Sequence, residues 1–121
     1  MIVDDLLEKL NGSMFNNIDS DEILDLRDSE LFDSEWNRVY KAVEEQKKIK
    51  GYSDENRKLS NEYRKNTYLR VYDLCDSDSL AAYISDDFGL VCDSELVGYT
   101  DSWLQVLIKT YATSKIPCGN I

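Results

Sequence analysis

The run Ser77-Asp78-Ser79-Leu80-Ala81-Ala82-Tyr83-Ile84-Ser85-Asp86-Asp87-Phe88-Gly89-Leu90-Val91-Cys92-Asp93-Ser94-Glu95-Leu96-Val97-Gly98 decides the fold class. It opens on Ser77 or Asp78, whose short side-chain oxygens suit the free N–H groups of a helix's first turn. Leu80, Ala81, Tyr83, Ile84, Phe88 and Val91 then recur at helical spacing up to about Leu96. Gly98 supplies a left-handed stop. Gly89 is the weak point, because glycine inside a helix costs about 1 kcal/mol against alanine, so a break there is an open expectation.

Working outward, the same spacing repeats. Thr100 or Asp101 opens a last helix with Trp103, Leu104, Leu107, Ile108 and Tyr111 inward, and the tail from Ser114, holding Pro117 and Gly119, reads as irregular. Upstream, Ser53 or Asp54 caps a helix reaching about Cys75, with a stripe of Leu59, Tyr63, Tyr68, Val71, Tyr72 and Cys75. Its charged first half is expected to stand clear of the body. Before it, Asp33 or Ser34 caps a helix from about Glu35 to Lys50, with Trp36, Val39, Tyr40 and Val43 at the i, i+3, i+4, i+7 positions. Glu44 and Lys48 are placed to pair across one turn. Gly51-Tyr52 makes a tight turn, so these two helices are expected to form an antiparallel hairpin. Short helices over Ile2–Leu10 and after Asp19 or Ser20 complete the set, separated by a loop over 11–19. The expectation is one all-α domain over 1–121: a compact bundle of five or six helices with a central antiparallel hairpin. Its predicted core is Trp36, Val39, Tyr40, Val43, Tyr63, Val71, Ile84, Phe88, Val91, Trp103 and Leu107.

Composition agrees. One proline and five glycines are too few breakers for a sandwich or barrel, and 42% apolar with 31% charged residues suits a globular chain. No apolar run approaches the ~20 residues that span a bilayer. Met1-Ile2-Val3-Asp4-Asp5 lacks the basic start and long apolar stretch of a signal peptide. Cys75, Cys92 and Cys118 form no CxxC pair, and an odd count suits reduced thiols. Together these place the chain, as an expectation, in the cytoplasm.

Histidine is absent, which excludes Ser-His-Asp and Cys-His catalysis. Asp87-Phe88-Gly89 spells a kinase metal-binding tripeptide, but the phosphate loop, strand lysine and catalytic loop that give it meaning are missing. Asn17, Asp19, Asp21, Asp25 and Asp28 are spaced like a calcium loop, yet Glu22 and Asp28 stand where such a loop needs glycine and a bidentate glutamate. An acidic helix start is the plainer reading. Asp73, Asp76, Asp78, Asp86, Asp87 and Asp93 do not converge as a hydrolase or two-metal site, since adjacent helical positions such as Asp86 and Asp87 point about 100° apart. No catalytic residue, cofactor or metal site is predicted, and a divergent metal-dependent enzyme is the least favoured reading.

Charge is segregated. Residues 1–36 hold 11 acids and 2 bases, 37–72 hold 5 acids and 10 bases, and 73–121 hold 8 acids and 2 bases, giving a net charge of −10. That field repels nucleic acid and anionic lipid and attracts a basic protein. The basic stretch Lys47, Lys48, Lys50, Arg57, Lys58, Arg64, Lys65 and Arg70, interleaved with tyrosines, has the look of some nucleic-acid binders, but offsetting the acidic ends internally is the favoured account. Eight acids and no base lie between Asp73 and Asp101. The predicted partner-binding surface is therefore Asp76, Asp78, Asp86, Asp87, Asp93, Glu95 and Asp101, with Tyr83 and Tyr99 as aromatic anchors. The competing account gives the contact to the acidic N-terminal third.

The segment Leu80 to Leu90, with Trp103-Leu104, Lys115-Ile116-Pro117 and a helix from Trp36 to Glu45 after an acidic lead, resembles small bacterial immunity proteins. Those proteins neutralise polymorphic or contact-dependent growth inhibition toxins. The likeness covers about half the chain and carries over no contact residues. It implies a cytosolic inhibitor that binds a cognate toxin domain, often a nuclease, and blocks its basic active-site cleft. The alternative is an acidic nucleic-acid mimic or adaptor that occupies a host DNA-binding protein.

Overall fold

The computed structural model describes residues Met1–Ile121, and its helices are organised around α5, Asp78–Val97. In front of α5 run α1 (Ile2–Lys9), a 3-10 turn (Gly12–Phe15), α2 (Ser20–Arg27), α3 (Glu30–Lys50) and α4 (Asp54–Cys75); α6 (Ser102–Ala112) follows it. The all-helical bundle read from the periodicity is present, with six α-helices.

Ser77 accepts a hydrogen bond from the Leu80 N–H, which starts α5. Gly98, at φ 69°, ends it: the Tyr99 N–H turns back to the Ser94 carbonyl. Twelve of its residues are buried, including polar Ser85, Asp87 and Ser94, so α5 is enclosed on nearly every side. It runs unbroken through Gly89. A methyl group at Gly89 would stand 2.7 Å from Cδ of Arg64, so the glycine lets the Arg64 stem cross the face of α5.

α4 lies antiparallel on α5 and makes the closest pairing in the molecule. Its buried residues, Ser60, Thr67 and Val71, share one face and are small, which lets the two backbones approach. The charged first half of α4 therefore packs onto α5 rather than projecting. The central hairpin consists of α4 and α5 joined at Asp76-Ser77, not of α3 and α4. α3 leaves the Gly51 corner with its buried residues Phe32, Val39 and Val43 directed at the core, and packs on α5 instead of α4. The physical reason is that α5 has apolar surface on several faces and attracts both neighbours.

α3 also begins earlier than its expected cap, at Glu30, because Phe32 is buried against Trp103 with ring centroids 5.2 Å apart. Eight of the eleven predicted core residues are buried; Trp36 and Tyr63 are half-buried, and Tyr40 is 44% exposed, stacked on Trp36. The short α1 is held by long-range caps. Glu95 accepts from the Ile2 and Val3 N–H groups at 3.0 and 3.1 Å, and Arg70 donates to the Leu10 carbonyl at the other end. The tail returns to α2, where Gly119 N–H donates to the Leu26 carbonyl. No helix is long and apolar enough to cross a membrane.

Candidate partner-binding surface

The acids predicted to face a partner are mostly answered within the chain. Asp86 accepts from Arg64 at 2.6 Å. Asp93 pairs with Lys47 at 2.9 Å and accepts from the Tyr52 hydroxyl. Asp101 caps α6 through the Leu104 N–H, pairs with Arg38 and accepts from Tyr99. Glu95 caps α1. Asp78 accepts from Tyr68, and Tyr83 is half-buried with its hydroxyl on Asp28. Asp76 is exposed in a left-handed conformation, φ 55°, at the end of α4. Of the basic stretch, Lys47 and Arg64 reach acids of α5, as the offsetting account expects, whereas Arg57 pairs with Asp54 on its own helix and Lys48, Lys58 and Lys65 make no ion pair. Lys47 also takes Glu44, which the sequence reading had given to Lys48.

Asp87 is a correction. It is 0% exposed and cannot meet a partner in this fold. Its carboxylate accepts from both terminal nitrogens of Arg27 at 2.6 Å, from Trp36 Nε1 at 2.9 Å and from the Tyr111 hydroxyl at 2.5 Å. A carboxylate is an acceptor with room for about four such bonds, and all are filled. Arg27, 5% exposed, donates further to the Pro117 carbonyl and lies over the Phe32 ring at 4.3 Å. Burial works against the charge on Arg27, but Asp87 and Tyr111 more than restore it and raise its pKa. Burial, with Asp87 adding to it, pushes the Tyr111 hydroxyl well above its ordinary range. One buried cluster thus ties α2, α3, α5, α6 and the tail together.

The unanswered acids lie elsewhere. Asp19, Asp21, Glu22, Asp25, Asp28, Glu30 and Asp33 are all exposed along α2 and the start of α3. Arg27 is the one base among them, and its charge is matched by Asp87. Leu26 and Leu31, 40% and 63% exposed, stand on the same stretch. Asp19 caps α2 and the following acids occupy its helix, so the residues spaced like a calcium loop are not wrapped as one. Asp33 belongs to the acidic N-terminal third of the competing account; the exposed Leu26 and Leu31 are what that account leaves out. The acidic lead was visible, but the pairing that distinguishes it from α5 is not local.

A model of the family described as immunity protein PIM1 matches residues 3–118. The chain belongs to that family. No curated protein matches it at a significant level. The resemblance drawn from the α5 segment and its flanks is therefore to the right class, and the match extends it from half the chain to nearly all of it. The buried Arg27–Asp87 cluster fixes where the exposed acids of α2 and the start of α3 stand. α2 is only eight residues long, and Arg27 sits at its last position. Helices this short are marginal alone, so the ion pair and the tail hold the acidic ridge against the body. The same fold keeps Cys92 inert: burial, with nearby Asp93 and Glu95, pushes its thiol up to about 12.

Proposed function

We propose that this immunity protein neutralises a cognate nuclease toxin by laying the α2–α3 ridge, Asp19 to Asp33, into the toxin's basic nucleic-acid cleft. The observation that carries this reading is the uncompensated charge of that ridge beside the compensated acids of α5. A cleft that binds a polyanion presents lysines and arginines, and an acidic ridge both steers toward it and occupies it. Leu26 and Leu31 supply apolar area at the centre of the contact, where affinity concentrates. The chain acts as a non-catalytic inhibitor of a contact-dependent growth inhibition system, in the bacterial cytosol where unpaired thiols stay reduced.

The test is co-expression with the toxin encoded beside it, followed by binding kinetics and nuclease assay at several salt concentrations. The expected result is a stable complex that blocks cleavage, with an association rate that falls steeply with salt. Asp21→Lys with Asp25→Lys, at exposed positions without bonded partners, is expected to slow association at least tenfold while the fold is retained. An unchanged rate in that variant would remove the ridge from the interface. Cleavage that continues in the complex would end the cleft-blocking reading.

A further inference from the structure

α3 and α4 both pack on α5 and leave a trough between them, made of two adjoining hollows of about 440 and 280 Å³ that share Tyr40, Glu44, Arg64 and Asp93. Its floor is α5 at Gly89, Leu90 and Asp93. An ion pair runs from each wall to that helix, Lys47 to Asp93 at 2.9 Å and Arg64 to Asp86 at 2.6 Å, and none runs from wall to wall. Gly89 keeps the floor low. A methyl group there would stand 2.7 and 2.8 Å from the Arg64 stem and drive it into the trough. From Trp36 to Lys48 the α3 wall is about 18 Å long, which matches about five residues of extended chain.

The two ends of the trough differ in charge. Toward Trp36, Arg64 and Asp86 answer one another. The larger hollow, toward Gly51, sets four bases, Lys47, Lys48, Arg57 and Arg64, against two acids, Glu44 and Asp93, in a chain of net charge −10. Lys47 holds both of those acids. Lys48 is exposed and makes no ion pair. Arg57 meets only Asp54, three residues back on its own helix, with side chains 62% and 90% exposed. Such a pair contributes ~0–1 kcal/mol, so Arg57 is available to another anion. Lys48 and Arg57 stand on opposite walls, and two free cations facing across a groove are the complement of carboxylates. Asn61, exposed on the α4 wall between them and Arg64, carries an amide with donors and an acceptor for a passing main chain. A small anion would engage only the Gly51 end; the length of the trough and its amide suit a chain segment.

We infer that the trough between α3 and α4 receives an extended, acidic segment of a partner protein, its carboxylates on Lys48 and Arg57 and its uncharged remainder running toward Trp36. The trough is opposite in sign to the α2–α3 ridge, and the inference stands whether or not the ridge meets a nuclease.

The probes are two blocked hexapeptides, one with a pair of glutamates followed by serines and one with the order reversed. Each is titrated into the intact chain at low salt and followed by nitrogen-15 NMR, beside the all-serine peptide and inorganic phosphate. The expected result is saturable shifts at Tyr52, the Asn61 side-chain amide and, at the far end, the Asn37 side-chain amide. One order should bind better than the other, the all-serine peptide should give none of these shifts, and phosphate should leave Asn37 unmoved. Lys48→Glu with Arg57→Glu is expected to weaken the better peptide by roughly tenfold or more. Lys58→Glu with Lys65→Glu makes the same charge change at exposed positions outside the trough and should leave its affinity within about twofold. Lys48→Gln with Arg57→Gln serves if the reversal perturbs the fold. No saturable shift with either acidic peptide would overturn the inference, as would equal weakening by the two charge reversals, which would reduce the effect to the general field. Phosphate that binds as tightly as the peptides and shifts the same groups would make the trough a site for small anions and overturn the chain segment.

Discussion

Two stretches of this chain are both strongly acidic in sequence and opposite in behaviour once folded. The acids of α5 and its flanks are met by Arg64, Lys47, Arg38, backbone N–H groups and the buried Arg27. The acids from Asp19 to Asp33 meet almost nothing, because the one base among them is turned inward. Local composition therefore says little about surface potential. What counts is which bases the fold brings alongside, and in this molecule α3 and α4 deliver theirs to α5. The charge that the fold leaves free is at the α2–α3 end.

The contrast is sharpest at two neighbouring positions. Asp87→Ala leaves Arg27 buried without its counter-charge and is expected to cost about 3–5 kcal/mol, read as a shift in the midpoint of urea denaturation. Asp86→Ala, one residue away, breaks a pair whose side chains are 42% and 49% exposed and is expected to cost less than about 1 kcal/mol. A small effect at Asp87, or equal effects at both, would mean that the buried cluster does not hold α2 in place. Replacing both acids by lysine, which would look from sequence like a probe of partner binding, is expected to unfold the chain instead.

A smaller effect is expected at Glu95. Glu95→Gln keeps one acceptor oxygen but sets an amide N–H₂ against the second helix N–H and removes the negative charge at the start of α1, and should lower stability by about 1–2 kcal/mol. Hydrogen exchange at Leu6 and Leu7 should speed up more than at Leu104, because α6 carries its own cap. Uniform speeding across both helices would show that α1 is not held by this carboxylate in particular.

Much of the architecture was legible because it is local. Ser53, Ser77, Gly98 and Asp101 act as the caps and stop their residue types suggest. The start of α3 was not, since Phe32 is a single buried ring flanked by exposed Leu31 and Asp33. The burial of Asp87 left a trace: it falls in the register of Leu80, Ile84 and Val91, all buried at spacings of three or four. Arg27 likewise follows Ile23 and Leu24 at helical spacing. Each position looked like a charge on an apolar stripe, but nothing in the sequence joins two such positions 60 residues apart. The hairpin was misassigned for a related reason, because a tight turn fixes which helices are consecutive and not which faces they bury.

The smallest effect divides the paired acids by pH. Asp101 is partly buried, which opposes its ionisation, yet the Leu104 N–H, the Tyr99 hydroxyl and Arg38 outweigh burial and hold its carboxyl below the ordinary value of 3.8. A carboxyl whose folded pKa lies below its unfolded one contributes stability that is fully present above the unfolded value. That stability is lost as pH falls through the folded value. Asp101→Asn keeps a good helix cap but does not titrate, so the difference between parent and variant isolates the charge. The parent is expected to be more stable by about 0.5–1 kcal/mol at neutral pH, a figure discounted for the exposure of Arg38. That advantage should shrink as pH drops below the ordinary value and vanish once pH lies below the folded value as well. Thermal melts of the two proteins across this range measure it. A gap that stays constant as pH falls below the ordinary value would mean that Asp101 acts through its cap geometry and that Arg38 contributes no charge stabilisation. The compensation seen around α5 would then be geometric at this residue, and the electrostatic contrast with the α2–α3 ridge would rest on Lys47 and Arg64.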